Sequence, residues 1–413
     1  MVIIFNSLNI GLFQAKPSQA KPSQAKPSQA KPSQAKPSQN KYNFNNIFNP
    51  ISIDRVSLLQ FFTWSLYMNR KVIDEIVWWI PFKKLRNNIK LCLNSICENN
   101  IDNSLETWDE NIVKIFREEI INDKNFWDKY INLIHKLDDE SIEIVHKIIF
   151  DRIKKFENIN DKVYLTGNDA KNCVNIIRYM QNMTNKIDDE CYIYKNYLLP
   201  INHFEICVFY DKHGIETIKN INNVKEKNII DAGAFIGDSA IVLSEYTNKN
   251  VYSFEPIKIN YELMLKTIKL NNKKNIIPVN LALGENNDKI EISHIETVTT
   301  GISLNNTKEV QGYNKVDETI NIISLDSYVE ENNLEIGLIK TDLEGFEQPF
   351  LKGAINTIKK QKPVLLISIY HNYSDFFDIK PMIDNLNLGY KFKIVKPNEQ
   401  TAIVETMLIA EVY

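Results

Sequence analysis

From about residue 195 onward the apolar residues stop recurring at helical spacing and fall into short runs, and this change constrains the fold more than any other feature of the chain. FEICVFY at 204–210, NIID at 228–231, VYSFE at 251–255, NIIPVN at 275–280, LIKTD at 338–342 and PVLLISIY at 363–370 alternate with helical segments. Short continuous apolar runs suit strands buried on both faces, and their alternation with helices predicts an α/β domain, Rossmann-like, over residues 196–413. Two final runs, YKFKIVK at 390–396 and AIVETMLIAEVY at 402–413, follow each other with only a short turn between them. They predict a terminal antiparallel hairpin, which a standard dinucleotide-binding sheet lacks.

Upstream the pattern differs. Residues 15–39 are five perfect copies of AKPSQ. Such a segment is polar, carries Pro in every copy and buries no core, so residues 1–49 are expected to be a disordered tail. Residues 50–195 read as a helical module. Its stripes are Trp108, Ile112, Ile115, Phe116 and Ile120; Val145, Ile148, Ile149, Ile153 and Phe156; and Cys173, Val174, Ile177 and Met180 after a cap at Asn168. Within it VWWIPFKKLRNNIK sets Trp78 and Trp79 beside Lys83, Lys84, Arg86 and Lys90. This is either a weak peripheral membrane contact through residues 78–90 or two buried tryptophans followed by a solvated face. The string IPFKKLRN also resembles one found in bacterial cell-envelope sugar enzymes.

Composition narrows the compartment and the partners. Of 413 residues 44% are hydrophobic, enough for two or three packed units. Six lysines and no acid fall in residues 1–49, so the rest of the chain holds 43 basic against 52 acidic groups and offers no general attraction for nucleic acid. Cys92, Cys97, Cys173, Cys191 and Cys207 are scattered, without zinc or disulfide spacing, which suits a reducing cytoplasm. The opening MVIIFNSLNIGLF lacks a basic n-region and a cleavage site and is shorter than the ~20 residues that span a bilayer, so neither secretion nor a span is expected. The expected location is the cytoplasm, with peripheral contact at the inner membrane as the variant. Abundant Ile, Asn and Lys with scarce Gly and Ala suit a bacterium with an AT-rich genome.

NIIDAGAFIGDSAIVLSEY carries the clearest site. An apolar strand runs into Asp231, a small-residue loop follows, and a helix starts with Asp238 or Ser239 as its cap. Gly233 and Gly237 remove Cβ atoms from the path of a ligand, with Phe235 between them. Their G-x-x-x-G spacing departs from the G-x-G-x-x-G of NAD and FAD sites. Glu255 ends the next strand, where a carboxylate takes both ribose hydroxyls. Asn280, Leu281 and Ala282 follow the third strand, where an adenine ring would lie.

Taken in order, DAGAFIGDSA, YSFEP, VNLALGE, SLDSYV, IKTDLEGFE, LKGA and PVLLISIYH resemble the FkbM-type methyltransferases over residues 197–413. The D-x-E-G-x-E box after the fourth strand is the most specific element. The resemblance implies a class I fold, S-adenosyl-L-methionine as donor, and O-methylation of a hydroxyl on a sugar or secondary metabolite. The acceptor is then a hydroxyl-bearing small molecule or a glycan, most simply a sugar of a bacterial surface glycan or glycolipid.

Transfer from a sulfonium asks the protein chiefly to align three atoms and to remove one proton. Asp342, Glu344 and His371, at the carboxyl ends of strands four and five, are the candidate bases, His371 for an ordinary pKa near ~6.5. Asp342 is equally placed to hold the cofactor's methionine ammonium. No dedicated metal-ligand spacing is present, so no metal is assigned, although these three would suit a hard divalent cation. NNTKEVQGYNKV, between ISHIETVTTGIS and the strand ending at Ser324, reads as a lid or a surface loop. YLLPINHFEICVFYDKHG reads as an acceptor wall with His203 and Tyr210 as contacts, or as a core-edge strand. Two other classes remain. A nucleic-acid or protein methyltransferase is disfavoured by DLEG standing where base-methylating enzymes carry Pro-Pro-aromatic. A non-catalytic cofactor-binding scaffold for envelope enzymes is disfavoured by the intact set Asp231, Gly233, Gly237, Glu255 and Asp342.

Overall fold

The seven strands that dominate the computed structural model are β1 (Asn228–Ala232), β2 (Val251–Phe254), β3 (Ile276–Val279), β4 (Ile336–Thr341), β5 (Val364–Ser368), β6 (Lys391–Val395) and β7 (Met407–Glu411). They form one sheet in the order β6-β7-β5-β4-β1-β2-β3. The five from β5 across to β3 are parallel, and β7 runs antiparallel to both β5 and β6. All residues of β4, β5 and β7 are buried, as the continuous apolar runs require when both faces are covered. Connections leave β1 in one direction and β4 in the other, so a crevice opens at the carboxyl ends of these two strands. The expected hairpin is there, but residues 396–406 between β6 and β7 form a long buried loop rather than a short turn.

The structure describes residues 104–154, 158–295 and 315–413, all within a compact unit of residues 99–413. The AKPSQ repeats, the 78–90 segment, Phe156 and most of NNTKEVQGYNKV lie outside the described residues. The first helices belong to the same core as the sheet. Phe116, on helix Glu110–Asn122, meets Tyr373 and Phe376 at ring separations of 6.0 and 5.8 Å, and Phe126 meets Phe377 at 5.9 Å. Each such buried ring contributes about 1.5–3 kcal/mol, so this packing holds the helices firmly on helix Tyr373–Asp384. The last of them turns into a π-helix at Lys147–Ile153, and Ser141 Oγ accepts a hydrogen bond from the Ile394 amide on edge strand β6 at 2.9 Å.

Several local expectations change. FEICVFY is not a strand: Ile206–Phe209 is a helix with Cys207, Val208 and Phe209 all buried. A short apolar run does not distinguish a buried strand from a buried helix, and β1 already has β2 and β4 on its two sides. Helix Gly167–Met183 starts after Thr166, not Asn168. On the first stripe Phe116 and Ile120 are buried and Ile112 is half-buried, whereas Trp108, ahead of the helix, and Ile115 are exposed; Val113, off the stripe, is buried instead. A second sheet also follows β3. Lys315–Ser324 pairs antiparallel with Asp288–Ile295 and parallel with Ala282–Gly284, so part of the presumed loop is strand.

Candidate active site

The site is assembled around a buried ion pair. Asp231, at the end of β1 and fully buried, accepts a hydrogen bond from Ser239 Oγ at 2.8 Å and faces Lys340 Nζ of β4 at 3.3 Å. Lys340, 2% exposed, also donates to the Gly233 carbonyl at 2.9 Å. Burial raises the Asp231 pKa against the pull of Lys340. Burial works against the Lys340 charge as well, but Asp231, Asp342 and Asp238 together hold its pKa above the ordinary lysine value. Three strand ends are thereby tied together: the Gly233 and Ala234 amides bond the Phe254 carbonyl of β2, and the Asp342 amide bonds Ala232.

This geometry gives Gly233 a second reason to be glycine. Its φ is +79°, and a Cβ there would stand 1.9 Å from the Asp342 carbonyl oxygen, so the neighbouring backbone as well as a ligand demands the bare position. Gly237, at φ +81°, is the N-cap residue of helix Asp238–Leu243, in place of Asp238 or Ser239, and its missing Cβ makes room for Met264. Phe235 sits between them at φ +45° and donates its amide to Glu255 Oε2 at 3.0 Å. The other Glu255 oxygen accepts the Ile257 amide at 2.9 Å. Burial pushes this carboxyl up to about 8 despite those amides.

A cavity of about 340 Å³ opens over these groups. Gly233, Phe235, Asp238, Ser239, Glu255, Ala282 and Asp342, all anticipated as cofactor contacts, line it. Asp231, Gly237 and Asn280 do not: Asp231 is sealed behind Ser239 and Lys340, and Asn280 Nδ2 bonds the Glu255 and Pro256 carbonyls at 2.9 and 3.0 Å. Ile257, Leu281, Ile290, Ile320 and Ile322 supply an apolar slot beside Glu255, the last three from the second sheet. A carboxylate for ribose hydroxyls, a flat apolar slot for adenine and an acidic surround for an ammonium and a sulfonium together fit S-adenosylmethionine.

The opposite side of the cavity is built by the D-x-E-G-x-E loop. Glu344 and Gly345 both take left-handed backbone, at φ +53° and +95°. Glu347, fully buried, accepts the Leu343 and Gly345 amides at 2.7 and 3.0 Å and stands 3.0 Å from His371 Nδ1. On the other edge of that ring, Nε2 lies 3.2 Å from Asp342 Oδ1 and 3.7 Å from Glu344 Oε2. Tyr370 Oη stands 3.1 Å from Asp342 Oδ1 and 3.2 Å from Glu405 Oε1. Burial opposes a charge on His371, but Glu347 and Asp342 outweigh it and raise its pKa well above the ordinary value. For Asp342 burial is likewise overcome, by His371 and Lys340, and it is held below the usual carboxylate range. Glu344 goes the other way, pushed up to about 7 by burial against the His371 charge. At neutral pH His371 is therefore an imidazolium with carboxylates at both nitrogens, a state that donates protons and does not accept them.

Lys340 and Glu347 were not singled out by sequence reasoning, though Glu347 closes the box it identified and Lys340 stands two residues before it. Their roles depend on which strand end and which ring they meet across the sheet. His203 and Tyr210 do not line the cavity, while Glu205 and Val208 of the same segment do. Metal-compatible spacing among the described residues joins Asp342 and His371 to Glu347, and His203 to Glu205 and Asp238. Neither trio is close in sequence, so linear spacing could not have revealed it.

A doubly covered sheet ordered β6-β7-β5-β4-β1-β2-β3, with an acid closing β2 and a glycine loop after β1, is the class I fold of S-adenosylmethionine-dependent methyltransferases. Residues 231–392 match the family model described as "Methyltransferase FkbM domain". S-adenosylmethionine is its cofactor. No curated protein matches the chain. Among solved structures, the methyltransferase FkbM from Methylobacillus flagellatus KT is 18% identical with a TM-score of 0.45, over 72% of this chain and 60% of that one. An rRNA methylase from Streptococcus thermophilus is 14% identical with a TM-score of 0.30, over 51% and 98%. A putative caffeoyl-CoA O-methyltransferase from Staphylococcus aureus is 13% identical with a TM-score of 0.29, over 51% and 85%. No described helix is long and apolar enough to cross a membrane.

Proposed function

We propose that this protein is an O-methyltransferase that methylates a sugar hydroxyl of a bacterial surface glycan or glycolipid. The observation that carries the reading is Glu344, a cavity-lining carboxylate raised to about 7 beside the His371 cation. When bound, S-adenosylmethionine supplies an electrophilic methyl carbon on a sulfonium. Glu344 would then take the proton of the acceptor hydroxyl as that oxygen is methylated. Asp342, depressed and already engaged by His371, is the weaker base and is better suited to hold a cationic group. Glu255 holds the ribose hydroxyls. His371, bracketed by Glu347 and Asp342, positions the two catalytic carboxylates and offsets their charge.

The lining is rich in carboxyl groups, from Glu205, Asp238, Glu255, Asp342, Glu344 and Glu405, beside Lys340 and His371, and these groups offer hydrogen bonds to a hydroxyl-bearing acceptor. A secondary-metabolite hydroxyl would meet the same chemistry. The protein would act in the cytoplasm, with the 78–90 segment as a peripheral membrane contact.

Glu344→Gln tests the base. Its affinity for S-adenosylmethionine by calorimetry should equal that of the wild type, while methyl transfer falls about 10²–10⁴-fold. Because the Glu344 pKa is raised, the base form is lost as pH falls, so the wild-type rate should climb with pH through about 7 and the variant's residual rate should not. Full turnover by the variant, or a flat wild-type profile, refutes the assignment.

A further inference from the structure

Trp108 belongs to the segment that precedes the family domain, yet it lines the cavity while remaining 60% exposed. Its backbone is unusually well anchored for so exposed a side chain. The Thr107 amide bonds the Val163 carbonyl at 2.9 Å and the Trp108 amide bonds Gln400 at 3.2 Å. The carboxylate of Asp109 accepts the amides of Ala402, Ile403 and Val404 from the loop that carries Glu405. Trp108 and Asp109 thus tie this backbone to the loop that forms one cavity wall, and Thr107 ties it to Val163. Leaving a large apolar ring in water on a rigid support loses the burial that would otherwise stabilise it, so the arrangement points to a ligand that covers it.

We infer that Trp108, with Ile112 and Phe346, forms the platform on which the acceptor's pyranose ring lies. This rests on the sugar reading above and deepens it. The lining combines two chemistries: these three residues are apolar, while Glu205, Glu344 and Glu405 offer carboxyl groups for hydrogen bonds. A ligand complementary to both has a flat C–H face and a rim of hydroxyl donors, and a neutral pyranose has this shape. Acceptor choice is then set in part by residues outside 231–392, Trp108 and Ile112 among them.

The test uses the full chain, radiolabelled S-adenosylmethionine, and neutral methyl glycosides of glucose, galactose, mannose, xylose, rhamnose and fucose, with catechol as a flat acceptor that is not a sugar. At least one pyranoside should be methylated. For it, Trp108→Ala should raise KM about tenfold or more, the equivalent of about 1.4 kcal/mol, with kcat nearly unchanged. Trp108→Phe should recover most of the affinity, and the thermal midpoint of both variants should stay near the wild type because the ring is exposed. A pyranoside methylated with the same KM by Trp108→Ala overturns the platform and leaves the sugar reading standing. Methylation of none of the six, or of catechol alone, overturns both.

Discussion

Replacing Gly233 by Ala tests the claim that the glycine loop is shaped by the protein's own backbone. The new Cβ would start 1.9 Å from the Asp342 carbonyl oxygen, and real Cβ contacts essentially never fall below 3.0 Å, so the two must separate by about 1.1 Å. Neither side yields freely. The Gly233 carbonyl is held by Lys340 and the Asp342 amide by Ala232, so the shift has to be taken by the ends of β1 and β4 together. Left-handed backbone costs a residue with a Cβ about 1–2 kcal/mol, and overpacking in a rigid core adds about 1–3 kcal/mol. Gly389 is the matched control: its φ is +87°, but nothing lies within 4 Å of its added Cβ, so Gly389→Ala incurs only the backbone part. Urea denaturation should place Gly233→Ala about 1–3 kcal/mol below Gly389→Ala. Because Asp342 moves with its carbonyl, methyl transfer should fall on the order of 10²-fold, the usual consequence of a 1 Å misplacement. Equal stability and equal turnover in the two variants would show that the loop has slack and that the close approach does not govern the site.

Other expectations follow from the same contacts. Lys340→Met strands Asp231 without its cation in a dry environment, and denaturation should show a loss of about 3–5 kcal/mol, with Asp231→Asn in the same chain recovering part of it. Asp109→Ala leaves three buried amides of the 402–404 loop without an acceptor, so a loss of about 3 kcal/mol or more is expected, and hydrogen exchange should quicken first at those amides. Glu255→Ala should weaken S-adenosylmethionine binding in calorimetry by about tenfold or more, the loss of a hydrogen-bonded carboxyl group. An unchanged affinity would remove Glu255 from the ribose site.

Much of the catalytic half was legible before any coordinates. Strand β1, the loop at Gly233, the acid ending β2 and the D-x-E-G-x-E box are local patterns, and period, chain-reversing glycines and strand-end acids report local geometry directly. What the sequence alone determined was therefore the α/β architecture of the C-terminal part and the strand, glycine loop and helix that begin at β1. Only the tertiary structure decided the rest. That Lys340 pairs with Asp231, that Glu347 closes its own loop and charges His371, that FEICVFY packs as a helix, and that Trp108 stands in the open beside a cavity built by residues far along the chain are all facts about partners. A residue's type limits what it can bond, but burial and the charge across the sheet decide which proton it keeps. That is why DAGAFIGD could be read as a strand end, a loop and a helix start from its own letters, while the contacts across the cavity could not.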